Sequence, residues 1–313
     1  MSDSADPGSS PVRTTVPPKW DVGDVPDQSG RTVVITGANS GLGLETAKAL
    51  AAAGARVVMA VRNTSKGEGE AARLAGEIEV SELDLGDLSS VRAFSERLDG
   101  RIDVLINNAG LMAIPESRTN DGFEMQFGVN HLGHFALTGL LIDRIDDRIV
   151  TLSSAAHKIG KIRLDDPNWK AGYQRWPAYG QSKLANLMFA KELQRRLSAA
   201  GSPLRSMAAH PGYAATNLQS RTESIQDKLM GVANLVFAQS ARMGALPTIY
   251  AAAAADLPGG SYVGPGGFQE QRGHPKVVEG NSRSQDREVA ERLWALSEEL
   301  TGVSFEIPQG AAA

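Results

Sequence analysis

Thr36-Gly37-Ala38-Asn39-Ser40-Gly41-Leu42-Gly43 is the stretch that decides the fold of this chain. A short β-branched run, residues 31–36 (RTVVIT), leads into it, and an Ala/Leu-rich stretch with helical spacing, residues 41–53, follows it. A glycine turn between a strand and a helix is the context that a dinucleotide-binding loop requires. Glycine leaves no Cβ between the main chain and a phosphate. The helix beyond offers unpaired N–H groups and a partial positive charge to a pyrophosphate. The expected cradle is Gly37, Asn39, Ser40, Gly41, Leu42 and Gly43. Its spacing is G-x-x-x-G-x-G rather than G-x-G-x-x-G, and no G-K-[ST] follows, which excludes the phosphate-transfer P-loop.

Outward from this turn a regular rhythm sets in. Apolar runs at 56–61 (RVVMAV), 78–83, 102–106 (IDVLI), 148–153 (RIVTLS), 204–210 and 261–263 read as strands. Helical patterns separate them at 65–74, 88–98, 119–143, 178–200 and a helix ending over 247–255, with a final amphipathic helix at 285–302 bounded by Gly302. Near-continuous apolar strands are buried on both faces. Strands alternating with helices imply a parallel sheet with right-handed crossovers. The expected architecture is α/β: one doubly wound Rossmann-type domain over residues 30–313. Residues 1–29, rich in Pro, Ser and Asp, read as a flexible arm that becomes ordered near Trp20, which docks on the body. Residues 214–240 break the rhythm and read as a lid over a substrate; the alternative is an ordinary surface helical insertion.

Composition narrows the function. With no cysteine among 313 residues, disulfides, thiolate nucleophiles and Cys-ligated metals are excluded. The five histidines are scattered, with no H-E-x-x-H, so no metal site is expected. A formal net charge of −4 gives no basic footprint for nucleic acid. No apolar run reaches the roughly 18 residues of a membrane span, and the N-terminus lacks a signal pattern. A cytoplasmic protein without membrane partners is expected.

The end of the second predicted strand, Ala60-Val61-Arg62-Asn63, selects the cofactor. A carboxylate here would bind the ribose hydroxyls of NAD. Arg62 instead suits a 2′-phosphate, so NADP(H) is expected; the alternative is a solvated charge at a strand end. Asp84, with Leu85 beside it, is placed to accept from an adenine amino group, or serves as a helix-capping carboxylate. Further along, Tyr179-Gly180-Gln181-Ser182-Lys183 sets a phenol and an ammonium four residues apart on one helix face.

These residues resemble the short-chain dehydrogenase/reductases over roughly residues 30–265. The resemblance rests on the glycine turn, Asp84, Asn107-Asn108-Ala109-Gly110, Asn130, Ser154, Tyr179-x-x-x-Lys183 and Pro211-Gly212. Residues 129–135 (VNHLGHF), 153–157 (SSAAH) and 210–212 (HPG) look most like the retinol dehydrogenase and WW-domain oxidoreductase-like branch. The resemblance implies a seven-stranded sheet, NADP(H), and carbonyl reduction or alcohol oxidation on a small substrate. Membrane-bound relatives carry an apolar N-terminal anchor and this chain does not, which leaves a retinoid substrate in doubt.

Hydride chemistry needs one proton given or taken and an oxygen held. Tyr179 is the expected general acid/base; Lys183 and, when the cofactor is oxidised, the positive nicotinamide ring favour its phenolate, and Lys183 binds the nicotinamide ribose. Ser154 donates to the substrate oxygen; the family pattern places the acting serine second in the Ser153-Ser154 pair. The family reading of Asn130 is that its backbone or side chain holds a water linking Lys183 to solvent; the bland reading is a helix kink. Gly110, with Ala109, lets the backbone approach the cofactor, and Asn107 braces the sheet or contacts the adenosine ribose. Pro211, Gly212 and Thr216 contact the nicotinamide carboxamide. His157 and His210 read as structural. Leu111, Met112, Ala113, Ile159 and Trp176 are candidate pocket residues for a lipophilic substrate. The family commonly forms homo-oligomers through its long helices, here 119–143 and 178–200.

Two other classes compete. One is a regulatory protein that binds NADP(H) and senses redox state without turnover, though such proteins usually lose the tyrosine or lysine kept here. The other is a sugar-nucleotide epimerase or dehydratase. The glycine spacing, the N-N-A-G run and the lack of a substantial C-terminal substrate domain argue against it.

Overall fold

Val33, Val34 and Ile35 are consecutive and have no exposed surface, so the first strand is covered on both faces. The computed structural model describes residues 17, 19–212 and 240–309. Its strands are β1 Thr32–Thr36, β2 Arg56–Val61, β3 Ile78–Glu82, β4 Ile102–Asn107, β5 Ile145–Leu152, β6 Arg205–Ala209, β7 Tyr262–Pro265 and β8 Pro275–Val278. They form one sheet in the order β3-β2-β1-β4-β5-β6-β7-β8. The expected count of seven is corrected to eight among the described residues. β1 to β7 pair in parallel, and β8 adds an antiparallel edge to β7, Tyr262 opposite Val278. Four residues, PKVV, carry too little pattern to announce β8; pairing with β7 makes it a strand.

The helices are α1 Gly41–Ala52, α2 Thr64–Ala71, α3 Leu88–Arg97, α4 Met125–Phe127, α5 Gly133–Leu141, α6 Arg175–Ala199, α7 Ala241–Ala253 and α8 Arg287–Thr301. Strand side chains alternate between two layers. Val33, Ile35, Val57, Met59, Val104 and Ile106 pack with α1 and α7. Val34, Val58, Ala60 and Leu105 pack with α3, α5, α6 and α8 on the other side. The chain leaves β1 toward β2 and later returns to β4 on the opposite flank. That reversal opens a crevice at the carboxyl ends of β1 and β4, where doubly wound sheets bind ligands.

The helix expected from 119 starts at Met125. Gly122 turns the chain with φ 84, and the Glu124 carboxylate caps the new helix by accepting from Gln126 N at 2.9 Å and Phe127 N at 2.7 Å. A π-helical turn, Gly128–Leu132, then joins α4 to α5. Trp20 docks as expected, edge-on to Tyr250 with ring centroids 5.1 Å apart. Gly302 ends α8 in the left-handed conformation, φ 63. Trp294 of α8 and Phe305 cover Phe135 of α5 and Phe189 of α6, so part of the long-helix surface is already used within the chain. The expected lid, apart from Ser240, lies outside the described residues, as does Thr216. Among the described residues no helix is long and apolar enough to cross a membrane.

The amino ends of the central strands are tied by charge. Arg148 is buried and donates to Ala251 O at 3.1 Å, Ala254 O at 2.7 Å and the Asp147 carboxylate at 2.8 Å. It thereby satisfies carbonyls at the end of α7. Arg31 and Arg205 also bind Asp147. Burial works to raise the Asp147 carboxyl, yet Arg148 and Arg205 hold it below its ordinary value. Arg148→Ala strips a buried charge pair and two buried carbonyls together, and is expected to lower the unfolding free energy by about 3–5 kcal/mol; the urea midpoint measures it.

Candidate active site

Ser40 caps α1 in extended geometry but its side chain makes no capping bond, so the first N–H groups of the helix face outward. On its inner side the turn is tightly packed. A Cβ at Gly37, whose φ is 67, would lie 2.9 Å from the Ala109 Cβ; one at Gly43 would lie 2.5 Å from Asn108 Nδ2. These close approaches seat the turn against the Asn107–Gly110 segment. Together they form a cleft of about 800 Å³ lined by Gly37, Asn39, Ser40, Gly41, Leu42, Gly43, Arg62, Asp84, Leu85, Ala109 and Gly110, all expected from the sequence. Asn63, Lys66, Asn108 and Val129 line it too and were not foreseen. Lys66 is one turn into α2, whose start Asn63 caps at 2.9 Å, so a second cation stands beside Arg62. Asp84 is divided: Oδ1 accepts from Gly86 N at 2.9 Å, and Oδ2 lies 4.0 Å from Arg62. A glycine cradle and an uncapped helix start fit the pyrophosphate of a dinucleotide.

Thr36 is the hub behind the cleft. Its hydroxyl accepts from Asn108 N and Ala109 N, both at 2.9 Å, and lies 2.8 Å from His134 Nε2. His134 Nδ1 meets the Asn130 carbonyl at 3.0 Å, so Nδ1 carries the ring proton and Nε2 accepts from Thr36. Asn107 faces inward, donating to Thr138 Oγ1 at 2.9 Å, and does not line the cleft. Of its two expected roles it has the bracing one; contact with a ribose is corrected, because the pleat points its amide into the core.

Asn130 sits in the π-helical turn. Its Oδ1 accepts from Leu111 N at 2.7 Å, and Nδ2 donates to Leu111 O and to Ser182 Oγ, both at 2.9 Å. Gln126 Oε1 holds Ala113 N at 2.6 Å, and Tyr173 OH donates to Ile114 O at 2.9 Å. Residues 111–114, which wall the far end of the cleft, are thus pinned by side chains. Ala113 is forced to φ 48. Neither Gln126 nor Tyr173 had a sequence signal.

Gly110 is where cleft and helix α6 meet: a Cβ there would be 3.2 Å from Asn130 Oδ1 and 3.3 Å from Lys183 Nζ. Lys183 Nζ donates to Leu152 O at 3.3 Å and lies 5.8 Å from the Tyr179 ring centroid. The Ser154 hydroxyl lies against the Tyr179 phenol, a contact that favours the phenolate. Ser153 instead donates to Lys183 O at 2.8 Å and ties β5 to α6. Ile159 and Trp176 are exposed, and the Trp176 ring stands edge-on to Tyr179 at 6.2 Å.

A family model described as short chain dehydrogenase matches residues 31–227. The chain belongs to the short chain dehydrogenase family. Retinol dehydrogenase 13 of Homo sapiens is 39% identical over 322 residues, which cover 97% of this chain and 90% of that protein. This bears out the resemblance to the retinol dehydrogenase branch. A crystal structure of a protein from Mycobacterium Paratuberculosis superposes with a TM-score of 0.81 at 53% identity, covering 92% of this chain and 100% of that one. A candidate NAD(P) dependent gluconate 5-dehydrogenase from Beutenbergia cavernae, with bound NADP at low occupancy, has a TM-score of 0.58 at 25% identity over 75% of this chain and 94% of its own. Short chain dehydrogenases are oxidoreductases that use NAD(P)(H).

In this short chain dehydrogenase the electrostatics of the candidate site are set by burial. Burial pushes the Tyr179 phenol up to about 12, more than the Ser154 contact brings it down. In the protein without cofactor, the nearby Lys183 leaves the phenol above its ordinary value. Burial lowers Lys183 from 10.5 to about 8, so its ammonium is held at a cost. That cost is present in full below pH 8 and fades as pH rises toward 10.5, where the unfolded chain also loses its proton. The full shift corresponds to roughly 3 kcal/mol. Lys183→Met removes it, and Leu152 O keeps a donor in Asn186 Nδ2 at 2.9 Å. Chemical denaturation is expected to show the variant about 1–3 kcal/mol more stable than wild type at neutral pH, with the gap closing between pH 8 and 10.5.

Proposed function

We propose that this protein is an NADP(H)-dependent oxidoreductase that interconverts a carbonyl and an alcohol on a small lipophilic substrate, with Tyr179 as general acid/base. The observation that carries the reading is a run of contacts: Gly110, at the end of the cleft that Arg62 and Lys66 begin, stands beside Lys183 Nζ, which lies by the Tyr179 ring, whose phenol meets the Ser154 hydroxyl. The cofactor, held by residues 37–43, Arg62, Lys66 and Leu85, would supply or accept the hydride.

The chain's own groups manage the oxygen and the proton. Ser154 donates to the substrate oxygen and aims it at Tyr179. With its phenol pushed to about 12, Tyr179 holds its proton at neutral pH and is ready to give it to the oxygen of a carbonyl being reduced. In the oxidative direction it must take a proton, which needs the phenolate favoured by positive charge: the Lys183 ammonium together with the charge of the oxidised cofactor. Both amide protons of Asn130 are committed, so a water near Lys183 would be held by its backbone carbonyl, through the lone pair that His134 Nδ1 leaves. Leu111, Met112 and Ile114 give the far end of the cleft an apolar wall, which suits a lipophilic carbonyl compound. The name of the human relative is consistent with that substrate class.

Purified protein with NADPH and a panel of apolar aldehydes and ketones is expected to consume the reduced cofactor, followed by its near-ultraviolet absorbance. Tyr179→Phe is expected to lower turnover about 10²–10⁴-fold while leaving NADPH affinity unchanged; NADPH binding by wild type with no turnover of any carbonyl would favour the regulatory alternative. In calorimetry, Arg62→Ala combined with Lys66→Ala is expected to weaken NADPH by about 10–100-fold and NADH hardly at all. Equal weakening of both would remove the case for NADP(H).

A further inference from the structure

Behind Pro211-Gly212, the loop joining β7 to β8 brings Glu270 against His210, a pair that the chemistry above does not use. His210 ends β6 with its ring buried, 5.1 Å from the Tyr262 ring. The ring rests on Gly264, where a Cβ would come within 2.0 Å of Nε2. Gly212 N donates to His210 Nδ1 at 3.2 Å, which places the ring proton on Nε2. That Nε2 faces the Glu270 carboxylate, 3.3 Å from Oε2, and among the described residues neither atom makes a well-aligned hydrogen bond, to the other or to a third group. Lys158 Nζ stands 3.6 Å from the same oxygen.

Glu270 reaches this position at the expense of backbone strain. Gln269 and Glu270 are consecutive non-glycine residues with φ 50 and φ 58. Left-handed pairs of this kind persist only where the surroundings enforce them, and they concentrate at sites that act on a ligand. The same loop presses on the turn directly. Gly212 has φ 67, and a Cβ there would lie 2.4 Å from Gln271 O. Main chain at Gln271 and side chain at Glu270 therefore both bear on one turn.

We propose that Glu270 is a positioning residue: through His210 it fixes the Pro211-Gly212 turn against the nicotinamide half of the bound dinucleotide. The inference rests on the NADP(H) reading above. It separates the two halves of the cofactor, because the adenosine half is held by Arg62 and the glycine turn, on other strands.

The test uses calorimetry of the full chain with two probes, NADPH and adenosine 2′,5′-bisphosphate, which lacks the nicotinamide half. Glu270→Ala is expected to weaken NADPH by about five- to tenfold and to leave the bisphosphate unchanged, which also reports an intact fold. Glu270→Gln keeps an oxygen opposite Nε2 and is expected to bind NADPH like wild type. Unchanged NADPH affinity in Glu270→Ala, equal weakening of both probes, or a Gln variant as weak as the Ala variant would each overturn the role of Glu270 alone. Wild type that binds neither probe would overturn the NADP(H) reading itself and this inference with it.

Discussion

An ammonium and a phenol buried side by side are the constraint around which this structure is built. Water would stabilise the ammonium of Lys183 and ease ionisation of Tyr179; the core of α6 denies it to both. The arrangement survives because a large apolar core offsets its cost, and because hydrogen bonds tie the polar groups nearby. Leu152 O receives Lys183 Nζ and Asn186 Nδ2, and Ser182 takes one amide proton of Asn130 while donating to Tyr179 O at 2.8 Å. Charge that is costly in the resting protein is what a proton-transfer site requires when a charged ligand arrives.

Rigidity is supplied from β1. One threonine hydroxyl links the glycine turn, the Asn107–Gly110 segment and, through His134, the carbonyl of Asn130. Burial lowers the His134 imidazole to about 4, so the hub keeps a single neutral tautomer at physiological pH. The π-helical turn contributes by rotating Asn130 toward Leu111, a use of such turns that recurs at functional sites. Shifting any one of these groups would move the floor of the cleft and its far wall together.

Much of this was legible in the sequence where the signal is local. Strands β1 and β2 and helix α8 follow from runs and caps within a dozen residues, and the glycine turn announced its own ligand class. What was not legible depends on contacts between distant segments. Strand β8 exists because β7 lies beside it. The pinning of residues 111–114 joins them to Gln126, Asn130 and Tyr173. Lys66 joins Arg62 at the cleft because α2 begins at Asn63, and Asn107 turned inward because strand pleating alternates its neighbours. The motif places Lys183 beside Tyr179, but the depth at which both are buried depends on the packing of the whole sheet and its helices.

The central claim is that positive charge brought by the cofactor, added to Lys183, makes Tyr179 titrate within reach of neutral pH. Phenolate absorbance in wild type minus Tyr179→Phe, followed against pH, measures it directly. Without cofactor the midpoint should stand near the value of about 12 that burial gives; with NADP⁺ bound it should fall by several units. A midpoint that NADP⁺ leaves in place would contradict the account.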